Sequence, residues 1–271
     1  MASFEPTDWT HGKRRIHLLG VAGSGMVPLA EILMDVGHEV TGSDLKQLPE
    51  RLVKRGLKFT RGHSAQGVGE AEVVVASAAI PDENVEWVEA KRRGVQRFRR
   101  GEVLGQLARL KKLVAVMGSH GKTTTATMLA QIFQEAGKEP CFYLGGYAPS
   151  LGASGGWRKG EWLVAEVDES EGAPVELQPW AALLLNADHE HVDRYANEAA
   201  VIGAYREILS RVTGPVVVVA KEEPAAMESA VNVKTKVTFG WEKSDADYVG
   251  VWRGEDAEGV RFEVNGKGKN L

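Results

Sequence analysis

Cysteine is nearly absent: Cys141 is the only one in 271 residues. A lone thiol closes no internal disulfide and builds no cysteine-based zinc site, which points to a reducing, cytoplasmic setting. Long apolar runs are missing as well. No stretch reaches the ~18 apolar residues that a membrane span needs, so no membrane insertion is expected. The opening residues MASFEPTDWTHGKRR carry no apolar segment of the kind a secretory signal has. Nor does one sign of charge dominate. Lys and Arg number 33 against 37 Asp and Glu, a formal net charge of −4. The chain therefore lacks the broad basic surface of a nucleic-acid binder, and no nucleic-acid partner is expected. Proline, at 10 residues, is not enriched, and 31 glycines (about 11% against a usual ~7%) follow no period. Collagen and low-complexity linkers are thereby excluded. What is present is 43% apolar residues, enough to bury real cores, in a length that at ~150 residues per domain corresponds to about two domains. The glycine excess suggests turns and ligand loops.

Short apolar strands alternate with helical patterns along the chain. Residues 15–20 (RIHLLG), Glu39–Thr41, Lys58–Phe59 and Val73–Ala76 read as strands. Met26–Val36, Pro49–Gly56 and Asn84–Arg93 read as helices, the first stopped by Gly37 and the last by Gly94. This β-α rhythm predicts a parallel sheet. Glu102–Leu110 reads as a connecting helix. Leu113–Met117 opens a second βα series, with strands at Cys141–Leu144, Trp162–Val167, Ala181–Asn186 and Pro215–Ala220 and helices at Thr123–Ala136 and Glu198–Arg211. After residue 220, Val233–Phe239, Tyr248–Trp252 and Val260–Val264 read as short antiparallel strands. The fold class is α/β: a Rossmann-like parallel-sheet domain over 1–107, then a P-loop α/β domain over 108–271 with a small antiparallel β segment near its end. A cationic cluster at the junction (Lys91, Arg92, Arg93, Arg97, Arg99, Arg100) reads as a solvated helix end and loop rather than a phosphate-facing patch. No aromatic interleaving marks it for nucleic acid.

Four motifs carry chemistry. Gly118-Ser119-His120-Gly121-Lys122-Thr123-Thr124 follows an apolar strand and opens a helix, the geometry of a phosphate-binding loop. It is a shortened GxxGK[ST] form, since Val116 stands where the longer pattern has a glycine. Backbone N–H groups and the helix N-terminus approach phosphate oxygens, Lys122 reaches the β/γ-phosphates and the Thr123 hydroxyl ligates Mg²⁺. The second motif is acidic: Glu166, Asp168 and Glu169 at the end of Trp162–Val167. Carboxylates at the carboxyl edge of a strand beside such a loop hold the nucleotide's metal, and Glu166 is the favoured ligand. Helix capping by Asp168 or Ser170 is the alternative. The third, Asn186-Ala187-Asp188-His189-Glu190-His191-Val192-Asp193, taken alone fits loop capping and metal ligation equally. The fourth, Gly20-Val21-Ala22-Gly23-Ser24-Gly25, follows a strand and precedes a helix, with Asp44 after the next strand. Ala22 replaces the second glycine of the dinucleotide fingerprint, so a phosphorylated nucleotide fits better than NAD.

In order and register over about residues 14–220, these motifs resemble the Mur ligase family. Its ATP loop G-T-H-G-K-T-T-T is matched from Gly118 to Thr125. Its A-E-A-D-E-S-D is matched from Ala165 to Glu171, and its T-N-x-E-x-D-H-M-D-x-Y from Leu185 to Tyr195. Its N-terminal G-I-G-G-x-G-M is matched from Gly20 to Met26, followed by Gly42-Ser43-Asp44 and Ser77-Ala78-Ala79-Ile80. Ala22 for Gly and Glu190 for Asp are the departures. The resemblance implies an ATP site at Gly118, Ser119, His120, Gly121, Lys122, Thr123 and Thr124. It implies Mg²⁺ on Thr123, Glu166 and His191, and catalytic roles for Lys122, Glu166 and His191. It also implies a UDP-sugar site at Gly20, Ala22, Gly23, Ser24, Gly25, Met26, Ser43, Asp44, Ser77 and Ala78. Ser77-Ala78-Ala79-Ile80 points to the branch of peptidoglycan precursor synthesis that joins L-alanine to UDP-N-acetylmuramate through an acyl phosphate. A branch that reattaches recycled peptides, and a catalytically incomplete module that only binds ATP and UDP-sugar, are the alternatives. Family members carry a third domain, so the expectation is two domains of three, with the second incomplete.

Overall fold

The computed structural model describes residues 9–167, 177–188, 195–257, 259–266 and 269–270. They divide into two compact units. One draws on the chain up to Leu113 and on Thr123–Glu166; the other draws on Val114–Lys122 and on the chain from Gln178 onward.

In the first unit, β1 (Arg15–Leu19), β2 (Glu39–Asp44), β3 (Lys58–Arg61), β4 (Val73–Ala76) and β5 (Gln96–Arg99) form a five-stranded sheet in the order β3-β2-β1-β4-β5. All four pairings are parallel. Helix α1 (Met26–Val36) ends where the sequence says it should. Gly37 adopts φ 104°, and the N–H groups of Gly37 and His38 return to the carbonyls of Met34 and Leu33, the closure a left-handed glycine allows. Pro28 is tolerated because the first turn of a helix leaves its N–H groups unused. Short α2 (Glu50–Lys54) follows. Helix α3 (Val85–Arg92) is capped by Asn84, whose Oδ1 accepts from Glu86 N–H at 2.9 Å. Helix α4 (Arg100–Ala108) closes this series.

The same unit contains all but the first residue of α5 (Lys122–Glu135), together with β7 (Cys141–Ala148), β8 (Ala153–Gly156) and β9 (Trp162–Glu166). Strand β7 lies parallel to β9 and antiparallel to β8. Helix α1 packs on this β-layer through Glu31, which has no exposed surface. Its carboxylate accepts the N–H groups of Ser154 and Gly155 at 2.7 and 2.8 Å and the Arg51 Nε–H at 2.9 Å. Asp35, one turn on, accepts from Trp157 N–H at 2.9 Å.

In the second unit, β6 (Lys112–Met117, its last four residues here) is followed outward by β10 (Ala181–Leu184), β11 (Val216–Ala220), β12 (Val237–Trp241), β13 (Tyr248–Asp256), β14 (Gly259–Gly266) and β15 (Lys269–Asn270). Helices α6 (Glu198–Ser210) and α7 (Pro224–Ser229) belong to this unit. The architecture is therefore a parallel-sheet α/β body plus a mixed sheet with antiparallel strands, as the sequence predicts. One expectation fails. Strand β13 runs parallel to β12, pairing Phe239 with Tyr248, and the antiparallel pairings begin only with β13–β14 and continue in β14–β15. The connection doubles back before re-entering. Glu242 turns at φ 45°, and the Asp247 carboxylate accepts both the N–H and the hydroxyl of Thr238 at 2.9 Å. Strands β5, β8 and β15, helix α7 and a 3₁₀ turn at Ala65–Val68 were not expected from the sequence. Among the described residues no helix is long and apolar enough to cross a membrane.

Candidate functional site

In the second unit the glycine-rich loop expected to meet phosphate, Gly118–Lys122, departs from the end of a buried strand. Val114–Met117 have almost no exposure, which fixes the point from which the loop departs. Gly118 takes φ 141°, a conformation closed to other residues. A Cβ there would also lie 3.0 Å from Asn186 Oδ1. Asn186, just past β10, clasps the loop in both directions. Its Oδ1 accepts His120 N–H at 2.8 Å, and its Nδ2 donates to the His120 carbonyl at 3.1 Å. Ser119 Oγ donates to the Asp188 carbonyl at 2.9 Å. Lys122 is buried, and its ammonium donates to the carbonyls of Gly118 at 2.6 Å and Ser119 at 3.3 Å. The cation is thus held over the loop by groups that a phosphate oxygen can replace.

Within the first unit, Thr123 and Glu166 come together at the start of α5 and the end of β9. Thr123 Oγ1 donates to Glu166 Oε2 at 2.7 Å, and Gly145 N–H donates to the same oxygen at 2.8 Å. A Cβ at Gly145 would stand 2.7 Å from Glu166 Oε1, so only glycine admits the carboxylate this close. A hydroxyl and a carboxylate in contact are hard oxygen donors of the kind Mg²⁺ takes. The donor set fits that ion. Among the described residues no group of three His, Cys, Asp or Glu forms a fuller metal cage. His191, with Asp168, Glu169, Ser170, His189 and Glu190, lies outside the described residues. Thr124 follows Thr123 on α5.

The N-terminal glycine turn is also in the first unit, at the carboxyl ends of β1, β2 and β4. The Ser43 carbonyl accepts from Gly20 N–H at 2.8 Å and Val21 N–H at 3.2 Å. Asp44 Oδ2 accepts from Ala22 N–H at 2.9 Å, and its Oδ1 from Lys46 N–H at 2.8 Å. Ser77 borders the turn: a Cβ on Gly20 would lie 3.1 Å from its Cβ. Ala78 follows it. Gly23 accepts from Met26 N–H at 2.9 Å, closing the turn around Ser24 and Gly25 into α1. Met26 itself is buried.

Beneath the turn, the Ser43 side chain points inward rather than to the sheet edge. Its Oγ donates to Glu86 Oε2 at 2.5 Å, and His63 Nδ1 approaches the same oxygen at 2.8 Å. His17 Nε2 stands 3.6 Å from Oε1. Burial alone would push the Glu86 carboxyl up; the nearby His17 ring and the hydrogen bonds from Ser43 and His63 outweigh it and hold the group below the usual carboxylate range. The sequence singled out none of Glu86, His63, Gly145 and Tyr143, because their partners are 21 to 118 residues away.

The cationic cluster resolves into separate duties. Arg97 and Arg99 stack on Trp87 at 4.4 and 4.5 Å. Arg99 also donates to the Ile80 carbonyl at 2.8 Å, and Arg92 pairs with Glu89 at 2.7 Å. Arg100 is buried against Tyr143. Cys141 is buried, which pushes its thiol up and leaves it unreactive.

Helices set against largely parallel sheets, with a lysine folded back onto the glycine-rich loop that leads from a buried strand into a helix, place the chain among the α/β proteins. Residues 15–112 match the catalytic domain of the Mur ligase family and residues 116–270 match the Mur ligase middle domain. The chain belongs to the Mur ligase family. A UDP-N-acetylmuramate–L-alanine ligase of Solidesulfovibrio magneticus is 42% identical over 201 residues, covering 73% of this chain and 44% of its own. The crystal structure of a UDP-N-acetylmuramate-alanine ligase from Thermotoga maritima superposes with TM-score 0.81 at 28% identity, covering 95% of this chain and 59% of that one. A UDP-N-acetylmuramate:L-alanyl-gamma-D-glutamyl-meso-diaminopimelate ligase from Neisseria meningitides shares the fold, with TM-score 0.82 at 24% identity over 96% of this chain and 86% of its own. The chain spans about half the length of the curated relatives it matches.

Proposed function

We propose that this chain is the nucleotide-binding portion of an ATP-dependent carboxylate–amine ligase that joins L-alanine to UDP-N-acetylmuramate in the cytoplasm. Residues 1–107 form the UDP-sugar domain and 108–271 the ATP domain. The observation that carries the reading is the Gly118–Lys122 loop, clasped by Asn186 and continued into a Thr123 hydroxyl bonded to Glu166. The curated relatives that carry the L-alanine ligase name support the acceptor.

On this reading ATP lies on Gly118–Thr124, and the loop N–H groups meet its phosphates. Lys122 exchanges its two carbonyl partners for β/γ-phosphate oxygens. Mg²⁺ on Thr123, Glu166 and His191 supplies neutralisation of phosphate charge. Gly20–Met26, with Asp44, Ser77 and Ala78, takes the UDP diphosphate; Ser43 acts through its carbonyl and its bond to Glu86. The lactyl carboxylate oxygen attacks the γ-phosphorus and ADP leaves. The L-alanine amine then attacks the acyl carbon, sheds a proton and expels phosphate, leaving the amide. Anion attacking anion is the costly step, and the buried Lys122 charge is aimed at it.

Titration calorimetry of the 271-residue chain with ATP·Mg²⁺ and with UDP-N-acetylmuramate tests the assignment. Lys122→Ala is expected to weaken ATP at least about 30-fold (~2 kcal/mol, one charged hydrogen-bonding partner) and leave UDP-sugar affinity within about twofold. Equal loss of both would sink the two-site reading.

A further inference from the structure

Two sites in the first unit share a single strand. Tyr143 and Gly145 stand two residues apart on β7, about 7 Å along the strand. The Gly145 N–H holds Glu166 at 2.8 Å. The Tyr143 hydroxyl donates to the Gly25 carbonyl at 2.7 Å, across 118 residues of sequence. Gly25 is the N-cap of α1 and the last residue of the glycine turn. The neighbouring ladder reinforces the link: Tyr143 is in register with Ala165, the residue before Glu166.

Arg100 completes the joint. It is buried, its guanidinium donates to the Tyr143 hydroxyl oxygen, and it fills the space beside Gly25. A Cβ at Gly25 would lie 2.5 Å from its Nη1. A hydroxyl that accepts from a guanidinium has its own proton left to give, and here that proton goes to Gly25. The direction of the bond is therefore set.

We infer that Tyr143, oriented by Arg100, is a positioning residue that registers the glycine turn against the Thr123–Glu166 oxygen pair and so couples occupancy of the UDP-sugar site to that of the ATP·Mg²⁺ site. The inference rests on the two-site reading above. Neither Tyr143 nor Arg100 belongs to either proposed ligand set. The joint is also separable from stability, because Glu31 on α1 independently grips Ser154 and Gly155 on β8. Removing the Tyr143 hydroxyl loosens the register of the turn without detaching the helix.

The test measures UDP-N-acetylmuramate affinity of the 271-residue chain with and without saturating AMP-PNP·Mg²⁺, and the converse. For the native chain, each ligand is expected to tighten the other by the same factor, about fivefold or more. For Tyr143→Phe, the affinity for either ligand alone stays within about twofold, the melting temperature is nearly unchanged, and the coupling factor falls to about one. A phenylalanine variant that keeps the native coupling overturns the inference and leaves the two-site reading standing. Native chain that binds both ligands without coupling does the same. Native chain that fails to bind one of them overturns both. A purely structural role for Tyr143 would lower the melting temperature and both affinities together, and that outcome also counts against it.

Discussion

A carboxylate with no exposed surface must find its solvation in the protein, and Glu86 finds it in the hydrogen bonds of Ser43 and His63 to one oxygen, with the His17 ring 3.6 Å from the other. Because those bonds hold its folded pKa below the ordinary carboxylate value, the ionised form is favoured by folding. The stability this contributes is fully present above the unfolded pKa and is lost as pH falls through the folded value. Glu86→Gln is expected to cost about 3 kcal/mol at neutral pH, the order found when a buried charge network loses one member. Urea denaturation across about pH 7 to about pH 3 should show the gap between native and variant narrowing only in the acid range. A gap that stays constant to the lowest pH would refute the ionised assignment. The sequence displayed the loop lysine and its threonine as a run of consecutive letters. It could not display Glu86, whose neighbours in space come from β1, β2 and the segment after β3.

At the scale of elements, α1 was legible and its partner was not. Apolar spacing and the closing glycine mark Met26–Val36, which is the helix observed. Strand β8 is Ala-Ser-Gly-Gly, with no β-branched or aromatic residue to announce it. It exists because β7 offers a ladder and α1 covers it. A Cβ on Gly155 would collide with the Pro28 carbonyl, so the helix backbone itself selects the small residue. Glu31→Ala leaves the Ser154 and Gly155 N–H groups buried without their acceptor and should cost about 3 kcal/mol. Thermal unfolding monitored by circular dichroism checks this; Glu31→Gln, which keeps one oxygen, should lose less. A loss near zero for Glu31→Ala would show that the α1–β8 contact is not held by the carboxylate. The reading of β12–β14 as all antiparallel failed for a related reason. Short alternating strands with tight connections usually reverse, but the Asp247–Thr238 clasp carries the chain back to run β13 alongside β12.

At the scale of the molecule, relatives that are about twice as long set the expectation for these 271 residues by themselves. They should bind ATP·Mg²⁺ and UDP-N-acetylmuramate yet form no amide with L-alanine; product analysis by mass spectrometry decides, and robust amide formation would show the chain to be self-sufficient. The sequence determined the α/β class, the order of most elements, the glycine-rich loop before α5 and the family, because each is written in local periodicity or in contiguous motifs whose backbone needs are met by neighbours in the chain. Only the tertiary structure decided that Asn186 clasps the loop, that Gly145 admits Glu166, that Ser43 faces inward to Glu86, and that Tyr143 reaches Gly25. Those contacts depend on strand register and on the close approach of distant backbone segments, and neither is encoded in the spacing of residues along one strand.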